Sequence, residues 1–329
     1  MNKPSLLRIR TLAAHEYRSA ARSKILLTLV GILTIATIAS VYIAAAAHRS
    51  QVADYQTYKD AATASGLNRI APSNLAPMSL LRGAFEYLQI IGAVIAVALG
   101  YLTVQRERAN RTLPLLRSRP VTAGEQATGS LLGAAALVTT IVTVTGLVAI
   151  LCVGIIGNDW INLSELVQLT LAYVVSIVYM TGFYALGAAC AARSRHPING
   201  LIVALCILVL FVLVTPQIGD TLDADNQIPG GLFKALGMNR ADETTILHHF
   251  SIYETLRTRI EWISFSQHYQ RFVFAMADVK ERYRTLDLGS LLRVVRTDLA
   301  WALAVPALLI AFHRRALRNQ PTIPQGATT

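Results

Sequence analysis

Three histidines and three aspartates are the residues that could do chemistry here. His248, His249 and His268 fall in one polar stretch with Asp220, Asp223 and Asp225 ahead of them. Imidazole and carboxylate together suggest a metal site. The spacing argues against one, because adjacent histidines point to different sides of a helix. No CxxC, HExxH or calcium-loop pattern supports them, and solvated polar residues are the expectation. Gly124 to Ser130 has the glycine spacing of a phosphate cradle. Ser130 stands where the lysine belongs, and no strand precedes it, so no nucleotide site is expected. The chain has no nucleophile elbow and no kinase signature, so it is not expected to be an enzyme or to hydrolyse ATP itself.

The remaining chemistry is cationic. Gln105-Arg-Glu-Arg-Ala-Asn-Arg-Thr-Leu-Pro-Leu-Leu-Arg-Ser-Arg-Pro-Val-Thr-Ala-Gly-Glu125 carries five arginines and is broken at Pro114 and Pro120. It sits between two long apolar runs. A basic elbow in that position is held on the inner face of a membrane, and its shape suggests a surface that another protein pushes on.

The elements that must position this elbow are spans. The chain has 329 residues, is 53% hydrophobic and gathers its apolar residues into runs of bilayer length. Six spans are expected: Ile25 to Ala47, Tyr87 to Gln105, one between Glu125 and Asp159, one between Glu165 and Arg193, Pro197 to Gly219, and Leu299 to Phe312. The sixth is the weakest, with Arg296 and Asp298 at its outer edge needing to snorkel or pair. The fold class is therefore an all-α polytopic membrane protein. Cys152, Cys190 and Cys206 all lie in apolar runs and read as small buried hydrophobes, with no disulfide framework.

Charge sets the orientation. With the N-terminus inside, segments 1–24, 106–125, 193–196 and 313–329 hold 16 of the 30 Lys/Arg but only Glu16, Glu107 and Glu125 among the 19 acids. This asymmetry places both termini in the cytoplasm of a multi-pass inner (plasma) membrane protein. The net charge of +11 is explained by inner-leaflet contact, without nucleic acid. No Asp, Glu, Lys, Arg or His lies mid-span in the first five spans. That opposes ion-coupled carriers and intramembrane enzymes.

Four regions follow. Residues 1–24 form an amphipathic helix with Leu6, Leu7, Ile9, Leu12, Ala13, Tyr17, Ala20 and Ala21 on one face and arginines on the rest. It is expected to lie in the interface with its apolar side in lipid, and Ser23 breaks it from the first span. Residues 25–218 carry spans one to five, with the elbow at 105–125. Gly92, Ala96 and Gly100 form a small-residue stripe that suits close helix packing, within the subunit or at a dimer seam. Residues 48–85 and 219–295 face outside. The latter is expected to be a helical subdomain with two periodic series, Ile246 to Ile263 and Tyr269 to Tyr283. These helices would pack on each other over the mouth of the bundle or lie flat on the outer leaflet. Residues 296–329 are the sixth span and its tail.

The elbow resembles the loop between spans two and three of ABC-2 type (type V) ABC transporter permeases. Glu107, Thr112, Leu113, Leu115, Leu116, Ser118, Arg119, Pro120, Val121 and Glu125 stand in matching places. The usual glycine is Arg111 and the common acid is Pro114. The long fifth loop resembles permeases with enlarged outer domains. The resemblance implies an amphipathic connector helix, six spans and a coupling helix driven by a separate cytoplasmic ABC ATPase dimer. That dimer would carry the ATP and Mg, and this chain would bind no cofactor and no metal of its own. Arg106, Glu107, Arg108, Arg111, Thr112, Leu113, Leu115, Leu116, Arg117 and Arg119 would form the main ATPase contact. Arg193, Arg195 and His196 would form a smaller one. A second permease subunit, this chain or a paralogue, would complete an export pathway. The alternative is an ATPase-driven scaffold or sensor acting on an extracytoplasmic partner.

Overall fold

A computed structural model describes residues 3–64, 77–109, 122–157, 160–222, 264–279 and 286–318, with Thr255, Arg259, Trp262 and Tyr283 beside them. The described residues form helices and contain no strand. The connector helix α1 is Lys3–Ala21 and α2 is Lys24–Ala64. The second span opens with a 3-10 turn at Pro77–Leu81 and α3 at Arg82–Tyr87. It then passes a π turn at Leu88–Gly92 and continues as α4, Ala93–Ala109. The third and fourth spans are α5, Ala123–Ile156, and α6, Leu163–Arg193. The fifth is α7, Pro197–Leu208, a π turn at Val209–Val214, and α8, Thr215–Leu222. After these come α9, Phe265–Met276, α10, Leu288–Val294, and the sixth span α11, Arg296–Arg318.

Six helices are long and apolar enough to cross a bilayer, matching the six expected runs. Their ends differ from the hydropathy reading in two places. The helix of span one does not stop at Ala47 but continues to Ala64. Residues 48–64 are polar yet contain no glycine or proline, and polarity alone does not end a helix. At about 1.5 Å per residue its 41 residues reach about 61 Å, roughly twice a hydrocarbon core. Span two starts near Met78 instead of Tyr87, because Arg82 pairs with Glu86 one turn on, at 2.9 Å, and the helix carries both.

Close packing centres on α4 and α6. The hydrophobic effect does not drive helices together in lipid, so contact depends on how near two backbones can come. A Cβ on Gly100 would strike the Tyr184 carbonyl and lie 2.6 Å from the Ala188 nitrogen. A Cβ on Gly187 would strike the Val97 carbonyl and lie 2.9 Å from its Cα. Gly92 faces Met180. The Gly92–Ala96–Gly100 stripe is thus a seam inside the subunit. The sixth span joins the same helix where Gly182 lies under Pro306, whose Cβ would be 2.8 Å from an added Cβ. Outward faces of the spans show Ile32, Ile35, Leu147, Ile155, Ile202 and Leu308, as lipid-facing helices should. Cys206 is among the exposed positions, whereas Cys152 and Cys190 are half-buried, and none of the three is in a disulfide.

The connector helix departs from expectation. Part of its apolar face meets protein, while Leu6 and Leu7 of the same face stay exposed. Ile9 and Ala20 are buried, and the helix lies along the first turns of α5. Gly129 and Gly133 make room for it: added Cβ atoms would come 2.6 Å from Leu12 Cβ and 2.6 Å from the Ala13 carbonyl. Gly129, which helps mimic a phosphate cradle in the sequence, is part of a seat for a helix.

The second outer-loop series also moves. Its first half becomes α9, which packs among α3, α6 and α11 instead of over the mouth. Tyr269 stacks on Tyr179, near the middle of α6, with ring centroids 4.1 Å apart. Ile246, Phe250, Tyr253, Leu256, Ile260 and Ile263, which make up the first series, lie outside the described residues, as do His248 and His249.

Gly100→Ala should destabilise the chain by about 1–3 kcal/mol through overpacking. Gly31→Ala, with nothing within 4 Å of the new methyl, should stay within about 0.5 kcal/mol. Thermal unfolding of both variants in one detergent checks the contrast.

Candidate functional site

The base of the elbow is the end of α4, where Thr103, Arg106, Glu107 and Arg108 follow one another around a helix still packed in the bundle. Each finds a different partner. The Thr103 hydroxyl donates to Glu16 of the connector helix and accepts from the Tyr184 hydroxyl of α6 at 3.3 Å. Arg106 donates to the Ser19 hydroxyl at 2.6 Å. Gln126 of α5 donates through Nε2 to both Glu107 oxygens at 3.1 Å. One helical turn and a half thus touches α1, α5 and α6.

Arg108 makes the most specific contact. The last carbonyls of α6 have no partner within the helix. The Arg108 guanidinium takes the Ala191 and Ala192 oxygens through Nη2 at 3.2 and 2.8 Å. Through Nη1 it takes those of Ser194 and Arg195 at 2.8 and 2.9 Å. A cation at a helix C-terminus is favoured by the dipole, and a planar fork can serve several oxygens together. The 193–196 turn is thereby tied to the elbow's root. Arg193 lies over the Phe312 ring of α11 at 5.8 Å. Arg195 and His196 are exposed, and Pro197 opens α7 at a position where its missing N–H costs nothing.

The far side of the elbow is anchored too. Thr122 caps α5: its side chain accepts from the Glu125 N–H at 3.2 Å, and Glu125 accepts from the Thr122 N–H at 2.9 Å. Glu125 also receives Arg8 of the connector helix at 2.9 Å. The opposite face of α1 is open, with Leu7, Arg10, His15, Arg18 and Arg22 along one groove.

Of the sequence candidates, Arg106, Glu107 and Arg108 come together with Arg193, Arg195 and His196 at one end of the bundle. Arg111, Thr112, Leu113, Leu115, Leu116, Arg117 and Arg119 lie outside the described residues. Sequence reasoning missed Arg8, Glu16, Thr122 and Gln126. The Thr-x-x-Glu spacing of 122–125 is a readable capping signal, and Glu16 is the one acid on the apolar face of α1. Among the described residues no three His, Cys, Asp or Glu gather as metal ligands.

The family model described as "ABC-2 family transporter protein" matches residues 10–316. No curated protein matches the chain. The match spans nearly the whole length, and the chain belongs to the ABC-2 family of transporter proteins as a multi-pass permease subunit.

Burial among α1, α4 and α6 raises the pKa of Glu16, against smaller opposing effects from the Thr103 hydrogen bond and the Arg106 charge. A raised carboxyl favours the folded state when protonated, so its contribution is present at low pH and is lost as pH climbs through the folded-state value. Glu16→Gln keeps an acceptor for Thr103 without the buried charge. It should raise the melting temperature at about pH 8 more than at about pH 5. A variant that melts lower than the parent at both pH values would show that charge, not burial, dominates there.

Proposed function

We propose that this chain is the membrane-spanning subunit of an ATP-driven exporter, moved by a separate cytoplasmic ATPase dimer that grips the elbow. In this reading the chain spans the inner membrane with both termini on the cytoplasmic side, and the arginine-rich segments support that orientation. ATP and Mg belong to the ATPase partner. A second permease, a copy of this chain or a paralogue, completes the pathway.

The observation that carries this reading is the Arg108 clamp. One guanidinium joins the root of the elbow to the turn between α6 and α7. Two loops that an ATPase dimer would touch are therefore one mechanical body. Displacing the elbow displaces α4 and the start of α7 together, and through Thr103, Arg106 and Glu107 it also pulls on the connector helix and α5. Rigid displacement of packed helices against one another is how small shifts become a change of access.

Roles divide by position. Leu113, Leu115 and Leu116 supply the apolar side of the coupling helix for the ATPase groove. Arg111, Arg117 and Arg119 face its acidic rim, Thr112 belongs to the motif that shapes the helix, and Arg195 and His196 give the smaller contact. Arg106, Glu107, Arg108 and Arg193 transmit, since each is already bonded or stacked within the chain. Spans one, two and five present an apolar wall that suits an amphipathic or lipid-like cargo.

Replacing Leu115 and Leu116 together by Asp should remove the ATPase subunit from a mild-detergent pull-down while membrane insertion stays at the parent level. Two buried leucines are worth roughly 3–6 kcal/mol of contact, enough for at least a hundredfold loss of binding. Undiminished ATPase recovery with the double variant would sink the assignment of the coupling helix.

A further inference from the structure

The open face of the connector helix carries a row of arginines. Arg10, Ala14, Arg18 and Arg22 follow one another at four-residue steps, so they share one side of the segment. The three arginines are exposed and line a groove of about 960 Å³ together with Ser19 and Leu7. Among the described residues no acid pairs with any of them. Glu16, the one acid of α1, is turned to Thr103 instead. A further donor approaches from beneath. Arg106 donates through Nη1 to Ser19, in the groove wall, at 2.6 Å, and its Nη2 is buried with no acceptor. The groove therefore holds an excess of guanidinium donors over acceptors, which suits an anion.

The chain itself fixes what lies against this face. The connector helix ends at Ala21 and span one begins at Lys24, so only Arg22 and Ser23 separate them. Ile25 and Leu27, in the first turn of that span, are exposed apolar side chains that belong in lipid. Arg18 and Arg22 lie within two turns of them, at the depth where span one enters the bilayer. That depth is the headgroup layer. A soluble protein would reach these arginines only by displacing the headgroups already there. Leu7 in the groove and Leu6 beside it are exposed as well, and arginines interspersed with leucines match phosphate and acyl chain together. A zwitterionic headgroup brings its own cation against the arginines, whereas an anionic one brings none.

We propose that the open face of the connector helix is a binding site for anionic phospholipid, with Arg10, Arg18 and Arg22 on the phosphates and Leu6 and Leu7 among the upper acyl carbons. The apolar seam of α1 is already spent on α5 at Ile9, Leu12 and Ala13, so the lipid takes the face that the bundle leaves over. The site is also wired to the elbow. Ser19 borders the groove and receives Arg106, and Glu16 receives Thr103. A headgroup seated there braces α1 against the root of α4. The site is a property of this chain alone and holds whether or not an ATPase grips the elbow.

The test uses the full chain, purified without any ATPase in a neutral mild detergent. Phosphatidylglycerol or phosphatidylcholine is titrated in, and bound lipid is counted by native mass spectrometry. The parent should bind phosphatidylglycerol at least about tenfold more tightly than phosphatidylcholine. Arg10→Gln, Arg18→Gln and Arg22→Gln combined should abolish that preference. The control removes equal charge at the same end of the bundle, with Arg314→Gln, Arg315→Gln and Arg318→Gln, three exposed arginines in the last turns of α11. It should keep the preference. Equal binding of the two lipids by the parent would overturn the proposal, as would equal losses in the two triple variants. Displacement of phosphatidylglycerol by soluble glycerol phosphate at a matching concentration would assign the groove to free phosphate instead. Unchanged lipid binding in the first triple variant, with a loss of ATPase recovery in a pull-down, would hand the face to the ATPase and also sink the proposal. Should that triple variant not fold, Arg18→Gln and Arg22→Gln decide singly. Each should weaken phosphatidylglycerol binding about fivefold, and no weakening in either overturns the site.

Discussion

Everything in this bundle depends on how closely α4 and α6 approach. Lipid offers no hydrophobic reward for burying one helix against another, so cohesion comes from dispersion between surfaces in full contact. Glycines 100 and 187 remove the side chains that would hold the two backbones apart. With the axes that close, alanines such as Ala96, Ala185, Ala188 and Ala189 are fully buried. The remaining helices are arranged around this pair. The sixth span meets α6 through Gly182, and α9 lies against α6 at Ser176 and Tyr179.

A seam of small residues gives contact but little register, and polar groups supply the register at both ends. At the arginine-rich end, α4 holds α1, α5 and the end of α6 by side chains from Thr103 to Arg108. At the other end the two π turns do similar work. A π turn disturbs the helical ladder, which in lipid must be made good locally. Ser264, which precedes α9, and Ser266 within it both donate to the Phe211 carbonyl, at 3.1 and 2.6 Å. The Tyr179 hydroxyl donates to the Gln89 carbonyl at 3.2 Å, and the Gln89 amide donates to the Ser266 carbonyl at 3.3 Å. The irregular backbone of spans two and five is therefore completed by α9, and α9 is held by that irregularity.

What was legible in the sequence follows this division. Six spans stand out because twenty apolar residues in a row have few other uses, and the role of the glycine stripe follows from its period. Burial of α9 was not legible. Its periodicity announces one apolar face, while Ser264, Ser266 and His268 look like the solvated side. They are buried because their partners, Phe211 and Asp298, are 30 or more residues away in the chain. Glu16 and Arg108 misled in the same manner. A lone acid on an amphipathic helix and an arginine in a basic loop both read as surface groups. Only the fold brings Thr103 to one and four carbonyls to the other.

This contrast bears on how motion would travel. Polar contacts concentrated at helix ends, with a nearly featureless apolar seam between them, favour movement of α4 and α6 as one rod. Bending in the middle would open the glycine contacts and lose dispersion along the whole length. Displacing an end changes a few hydrogen bonds that can be remade. The π turns in spans two and five lie where the rod meets its neighbours, and each already departs from regular α-helix. They are the places where a bend disturbs the fewest intact hydrogen bonds. A push at the elbow would therefore be resolved at Leu88–Gly92 and Val209–Val214. Both turns bear directly on α9, whose first turn is joined to the sixth span by the contact of His268 Nδ1 with Asp298.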